Sequence, residues 1–309
     1  MHSDVRCVAR PCARVRDNEP VTSATEPAPA ERPAPAVPRL IATDLDGTLL
    51  RDDKTVSDRT IAALAAAEKA GIEVFFVTGR PARWMDVVSA HVHGHGLAIC
   101  GNGAAVVDLH GGPGEHRFVK VRPLERATAR EVVEILRAAA PGASFAVEQT
   151  GGIHHEPAYP PMFMDAATSI GPAEKLLAED ADAADDHILK VLAHHPELTP
   201  DDFLALARTA VGSRAEITRS SPTALLEISG PGVSKASTLE LCCAERGITP
   251  AEVVAFGDMP NDVEMLTWAG TSYAMGNAHP DVLAAASGRT VANNDDGVAV
   301  VIERIIDSL

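Results

Sequence analysis

The chain has 309 residues, room for two domains or one large one and too many for a peptide hormone or a minimal binding module. Apolar residues make up 46% and charged residues 23%, close to globular averages, which excludes wholesale disorder. The formal charge of −16, from 27 Lys and Arg against 43 Asp and Glu, argues against nucleic-acid binding, and so does an aromatic content of 4%.

Residues 1–38 hold five Arg (6, 10, 14, 16, 32) and five acids (4, 17, 19, 26, 31), so the acidic excess lies wholly in 39–309. An acidic protein that handles anionic substrates needs local positive charge, which a metal ion and one or two basic side chains supply. The cysteines (7, 12, 100, 242, 243) are odd in number and lack C-x-x-C, which argues against a disulfide framework or a zinc ribbon. No apolar run approaches the roughly 18 residues of a membrane helix, and the N-terminus lacks the apolar stretch of a secretory signal. The expectation is a reduced, cytoplasmic protein with no membrane partner; oligomeric state is left open.

Residues 20–38 repeat Pro and Ala with almost nothing to bury and read as an extended tail, a tether or an over-long start with no catalytic role. Leu40–Thr43 is a short apolar run entering the acidic turn D-L-D-G, as at the end of a buried parallel strand. Ser57 is a good N-cap for a helix carrying Ile61, Leu64, Ala65 and Glu68, which Gly71 stops. A second buried strand, Ile72–Val77, ends in Thr78-Gly79-Arg80, and Pro81 suits the first turn of the next helix.

The middle of the chain reads differently. Leu97–Cys100, Ala104–Leu109, Phe118–Val121, Phe145–Val147, Ile188–Ala193, Ala215–Thr218 and Ala224–Ile228 are strand-like, with helices at Leu124–Ala139 and Asp201–Val211. Paired strands with interspersed helices predict an α+β insert over 84–229. The alternating rhythm then resumes: a strand at Val253–Phe256 closing on G-D-M-P-N-D, a helix through Met265 and Leu266, a strand at Thr271–Met275, and helices at Asp281–Ala286 and Val298–Ile306. The fold class is therefore α/β, a Rossmann-like parallel sheet (39–83 and 230–309) with helices on both faces and the α+β insert as a second domain.

Sites in such sheets form at the carboxyl ends of strands. Asp44 and Asp46 follow one strand, Asp258 and Asp262 another, and a hydroxyl-Gly-Arg turn a third. One acidic turn alone reads as a helix cap. Two of them with the Thr78 turn at the ends of one sheet require more, because clustered carboxylates cannot all stay ionised without a cation between them. Oxygen ligands select a hard ion, so the cluster predicts a Mg²⁺ site that also engages phosphate. Gly47 lets the backbone turn amide groups toward an anion, and Thr78 and Gly79 add donors.

D-L-D-G-T-L-L (44–50), F-V-T-G-R (76–80), G-V-S-K (232–235) and G-D-M-P-N-D-V-E-M-L (257–266) together resemble the four motifs of the haloacid dehalogenase (HAD) superfamily. M-G-N-A-H-P (275–280) and N-D-D-G-V-A (294–299) further resemble its Cof-type phosphatase branch, subfamily IIB. The resemblance implies that Asp44 attacks phosphorus to form an aspartyl-phosphate. It implies that Asp46 is the acid and then the base, with a pKa above that of a solvated Asp. Asp44, Asp258 and the Asp46 carbonyl would hold Mg²⁺. Thr78, Gly79, Asn261 and Lys235 would hold or balance the phosphoryl group. Asp262 would orient Lys235 or a metal-bound water. Arg80 is left between contacting phosphate and pairing with an acid. Asn102, in G-N-G-A-A-V (101–106), becomes a substrate contact, its strand context having set aside a dinucleotide fingerprint.

Between Asp46 and Thr78 lie 31 residues, and between Thr78 and Lys235 lie 156, so the insert occupies the place of a C2-type cap. The implied function is a Mg²⁺-dependent phosphomonoester hydrolase acting on a small phosphorylated metabolite, a sugar phosphate or phosphorylated cofactor. A phosphomutase and a non-catalytic phosphometabolite-binding protein remain alternatives. The loop G-G-I-H-H-E-P-A-Y (151–159) reads either as a specificity loop or as a surface excursion. H-V-H-G-H (91–95), His154-His155 and His194-His195 read as solvated surface rather than metal ligands, and the acid-rich run 178–186 as a solvated connector.

Overall fold

The computed structural model describes residues 37–90, 96–160, 169–178, 186–219 and 223–309. The expected tail up to residue 36, the histidines of 91–95 and residues 179–185 of the acidic run lie outside the described residues. The chain opens with β1 (Leu40–Thr43), α1 (Asp58–Lys69), β2 (Glu73–Val77), α2 (Asp86–Ser89), β3 (Leu97–Cys100), β4 (Ala105–Asp108) and β5 (Arg117–Val121). Then come α3 (Arg126–Ala139), β6 (Ser144–Gln149), β7 (Gly152–His155), β8 (Ser169–Ile170), α4 (Ala173–Leu176), β9 (Ile188–His194), α5 (Pro200–Val211), β10 (Glu216–Thr218) and β11 (Leu225–Ser229). It ends with α6 (Lys235–Glu245), β12 (Val253–Gly257), α7 (Val263–Trp268), β13 (Thr271–Ala274), α8 (Pro280–Ala285), β14 (Gly288–Arg289) and α9 (Gly297–Asp307).

Eight strands form the main sheet in the order β14-β13-β12-β1-β2-β3-β4-β5. The pairings from β14 to β3 are parallel, and β4 and β5 continue antiparallel. Alternate side chains of one strand face opposite layers. Ile41, Val74 and Phe76 pack with Leu64 of α1 and Val301 and Ile302 of α9. Leu40, Ala42, Phe75 and Val77 pack with Leu239 of α6, Met265 and Leu266 of α7 and Val282 of α8. Helices therefore cover both faces, which is why these strands are apolar throughout. Ser57 caps α1 by accepting from the Thr60 amide at 3.1 Å.

A second sheet runs β10-β11-β9-β6-β7-β8 and is antiparallel except for β7 with β8. One face, carrying Phe145, Val147, Val191 and Leu226, packs on Val132, Val133 and Leu136 of α3 and Phe203 and Ala207 of α5. The insert begins later than the expected residue 84. β3 pairs in parallel with β2, and the β4–β5 hairpin satisfies the free edge of β3, so 97–121 extend the main sheet and the second sheet starts at Ser144. The 151–159 segment is no surface excursion: it contains β7, and Ile153 and Tyr159 are buried beside Ala146. His154 and His195 are buried as well, contrary to the solvated reading. His195 faces the Pro141 carbonyl through Nε2 and accepts the amides of Glu197 and Leu198 at Nδ1. No helix among the described residues is long and apolar enough to cross a membrane.

Candidate active site

Register brings the site together. Thr43 of β1 pairs with Phe256 of β12 and Phe76 of β2, so the chain leaves all three strands at one edge, carrying Asp44, Asp258 and Thr78 with it. The Asp44 amide extends the ladder to the Phe256 carbonyl at 3.1 Å. The fourth component arrives from the helix layer. Ser234 caps α6 in a reciprocal box with Ser237, which fixes Lys235 as the first helical residue and buries it.

Lys235 Nζ donates to Asp44 Oδ1 at 2.7 Å and to Asp262 Oδ1 at 2.6 Å. The other Asp262 oxygen accepts the amides of Asp258 and Met259, each at 3.0 Å, so one Asp262 oxygen holds Lys235 and the other builds the turn. Thr48 donates to Asp258 Oδ1 at 2.8 Å. Asp44, Asp258 and Asp262 each bring a carboxylate oxygen to within 4.8 Å of the others, a group that can hold a metal ion. Gly47 closes the wall beside Asp258. Its φ is +76°, and a Cβ there would stand 2.2 Å from Asp258 Oδ2.

Thr78 is buried, and its Oγ1 accepts the Arg80 amide at 3.1 Å, which leaves the hydroxyl proton to donate forward. Asn102 sits in the left-handed region at φ +55° and is buried; its Oδ1 accepts from Asn261 Nδ2 at 3.0 Å. Above these groups lies a cavity of about 370 Å³ whose far wall is the second sheet, with Ile153, Tyr159, Leu192 and Leu225, and whose side is Trp84.

A profile of the haloacid dehalogenase-like hydrolases matches residues 41–302. The chain belongs to this family. It is 30% identical over 274 residues to the 5-amino-6-(5-phospho-D-ribitylamino)uracil phosphatase YitU of Bacillus subtilis (strain 168), covering 85% of this chain and 95% of that one. It is 30% identical over 277 residues to the pyridoxal phosphate phosphatase YbhA of Escherichia coli (strain K12), covering 85% and 97%. A haloacid dehalogenase-like hydrolase from B. subtilis shares the fold at TM-score 0.73 with 24% identity, over 86% of this chain and 99% of that one. The protein is a HAD-family phosphomonoester hydrolase of the Cof-type branch.

The electrostatics of this hydrolase divide its carboxylates. Burial raises Asp44 well above the usual range, and the nearby Asp262 and Asp258 add to that; Lys235 opposes the rise without cancelling it. Asp258 is pushed up to about 7 by burial and by Asp262, against the Thr48 hydrogen bond. Lys235 is raised: burial alone would lower it, but Asp262 and Asp44 outweigh that. The cluster thus holds more negative charge than one lysine neutralises.

Asp46 departs from expectation. Burial pushes its carboxyl up, yet Arg80 grips it through Nε and a terminal nitrogen at 2.6 and 2.7 Å, and Lys54 adds a contact at 2.9 Å. The net result is a pKa below the ordinary value, not above it. In this structure Arg80 pairs with an acid, Asp46. Sequence reasoning missed Lys54, and it missed Glu148, Lys190 and Glu227 on the second sheet, each a single charge inside an apolar strand.

Proposed function

We propose that the enzyme cleaves its substrate through an aspartyl-phosphate on Asp44, with Mg²⁺ as its metal. The observation that carries the reading is the buried Lys235 bridging Asp44 and Asp262 beside a third carboxylate, Asp258, at the carboxyl edge of a parallel sheet. Asp44 and Asp258 fit a small hard cation: they offer oxygen alone, they are buried, and both are held above their ordinary pKa, the signature of a cluster short of positive charge. The Asp46 carbonyl would complete the protein ligands. What Mg²⁺ supplies when bound is neutralisation of phosphoryl charge against the Asp44 carboxylate.

In the reaction, the Asp44 carboxylate forms a bond to phosphorus as the ester oxygen departs, and Asp46 gives that oxygen a proton. Asp46 then takes a proton from water as it attacks the acyl phosphate, which releases phosphate and restores Asp44. Thr78, the Gly79 amide and Asn261 receive the phosphoryl oxygens, and Lys235 balances their charge against Asp44. Asp262 holds Lys235 in place. A phosphate dianion competes with Asp46 for Arg80 and Lys54, and losing either cation lifts Asp46 toward the range an acid needs.

The second sheet with α3 and α5 acts as the cap. The apolar wall of Trp84, Ile153, Tyr159, Leu192 and Leu225 supports a phosphorylated cofactor with a flat ring over a bare sugar phosphate, and YitU and YbhA act on compounds of that kind. Free buried thiols at Cys100, Cys242 and Cys243 support a reducing, cytoplasmic setting. The test is phosphate release from a panel of phosphorylated metabolites, with chelator or Mg²⁺, for wild type, Asp44→Asn and Asp46→Asn. Mg²⁺-dependent release lost in both variants is the expected result. Release indifferent to chelator or to Asp44→Asn refutes the site, and an isomeric phosphate as product makes the enzyme a mutase.

A further inference from the structure

Three charged residues stand side by side on the cleft face of the second sheet. Glu148 of β6 pairs in register with Lys190 of β9, and Glu227 of β11, opposite Leu192, lies diagonally from Lys190 on the same face. All three are buried, in strands otherwise apolar, where ions are costly unless paired and hydrogen-bonded. Lys190 and Glu227 pair with each other, and all three also reach across the cleft to the turns that follow β2 and β3. Arg83 grips Glu148. Lys190 Nζ donates to Glu227 Oε2 at 2.5 Å and to the Gly79 carbonyl at 2.7 Å. Asn102 Nδ2 donates to the same Glu227 oxygen at 2.8 Å.

Two chains of hydrogen bonds therefore run from the cap to the groups assigned to phosphate. One passes from Glu227 through Asn102 to Asn261, whose own Oδ1 is buried with no hydrogen-bond partner among the described residues. The other holds the Gly79–Arg80 peptide: Lys190 takes its carbonyl while its N–H goes to Thr78 Oγ1, which sets the direction of the Thr78 hydroxyl. The approach is close. A Cβ on Gly79 would lie 3.2 Å from Asn102 Oδ1 and 3.4 Å from Glu227 Oε1.

We infer that Lys190 and Glu227 are positioning residues, a cap-borne pair that orients Thr78, Gly79 and Asn261, so that the phosphoryl site is complete only with the cap seated. This rests on the phosphomonoesterase reading above. The pair acts on the part of the substrate common to all phosphate esters, not on the part that distinguishes them.

The test uses the full-length enzyme with Lys190→Met/Glu227→Leu, an apolar replacement of a buried pair that such sites generally tolerate in stability. Asn102→Gly accompanies it, because glycine accepts the left-handed backbone while removing the link to Asn261. The readouts are kcat and KM for a hydrolysed ester and, by calorimetry, the affinity for inorganic phosphate in the presence of Mg²⁺. In both variants kcat falls by about a hundredfold, as for a displacement of about 1 Å in a positioned group. Phosphate affinity drops about tenfold with it, and Lys190→Arg alone restores most of both. Unchanged kcat and phosphate affinity in either folded variant overturn the inference. A rise in KM alone overturns it too, because the pair would then be touching the substrate body. Wild type that binds phosphate but hydrolyses nothing removes the phosphomonoesterase reading, while the affinity comparison still decides this one.

Discussion

Replacing Lys235 by Met isolates the charge balance on which the site depends. The lysine nitrogen lies 2.7 Å from Asp44 and 2.6 Å from Asp262, and Met, unbranched and one atom shorter, keeps most of the side chain without its charge. Oxygens of the three carboxylates lie within 4.8 Å of one another, a separation at which two unit charges repel by about 3.5 kcal/mol at an effective dielectric of about 20. Removing one partner of a buried pair costs about 3–5 kcal/mol, in agreement with that figure. The penalty has a ceiling, because a carboxyl can take up a proton instead. Asp258 titrates near 7 even with the lysine present, at about 7 against an ordinary 3.8, so in the variant the cluster is relieved in acid and strained in alkali. The pKa of Lys235 is raised, so its stabilisation is complete below the ordinary lysine value of 10.5 and fades only as pH climbs through the folded value. Any dependence across neutral pH in the variant therefore belongs to the carboxylates. In chelator at about pH 8.5, thermal unfolding should show a Tm lower by roughly 6–20 °C, with a smaller gap at about pH 6. Added Mg²⁺ should narrow the alkaline gap. An unchanged Tm at the alkaline pH, or a gap that widens in acid, refutes the claim that Lys235 neutralises this cluster.

In the wild-type enzyme without metal, the raised Asp258 pKa means that ionisation works against folding: the penalty begins above 3.8 and grows until about 7. Thermal stability in chelator should therefore rise as pH falls from about 8 to about 6, and Mg²⁺ should raise Tm most at the upper end; a response independent of pH contradicts this. Arg80→Gln removes two contacts from Asp46 and should lift its carboxyl, followed by carbon-13 NMR of the side chain; an unmoved titration shows that Arg80 does not hold it down. In the wild type, the depressed Asp46 pKa contributes stability above 3.8 that disappears as pH drops through the folded value. Gly47→Ala places a methyl 2.2 Å from Asp258 Oδ2 in a left-handed turn, so both turnover and the stabilisation by Mg²⁺ should be lost, and a variant with normal metal response would show that Asp258 moves freely.

The catalytic edge was legible because its logic is local. A buried parallel strand must be apolar, and the residue that ends it faces the same sheet edge as the ends of its neighbours, so Asp44, Thr78 and Asp258 could be assembled from three separate strand endings. Lys235 was legible only through resemblance, since nothing nearby in sequence states that the first residue of α6 reaches Asp44 across 191 positions. Two readings failed for want of tertiary information. The strands of 97–121 look like an insert because a hairpin is antiparallel wherever it attaches; only pairing of β3 with β2 reveals that it extends the main sheet. Asp46 was assigned a raised pKa from its role, whereas its resting state is set by Arg80, 34 positions away, and by Lys54 in the connection between β1 and α1.

The charged row on the cap shows what a pattern holds before its meaning can be read. In F-A-V-E-Q, I-L-K-V-L and L-L-E-I-S a single ion interrupts an apolar run at the parity that faces the cleft. Alternation alone makes each of them a solvent-facing residue on a half-buried strand. Two observations change that meaning: the three residues are buried, and besides the Lys190–Glu227 pair they reach across to Gly79, Arg83 and Asn102 in the turns after β2 and β3. Buried ions are costly unless paired and hydrogen-bonded, and these three meet that condition in part by contacts that cross to the turns of the other sheet. The same cavity is lined by the apolar Ile153, Tyr159, Leu192 and Leu225, so one face of the second sheet carries both an apolar wall and a buried charged row that reaches the turns after β2 and β3.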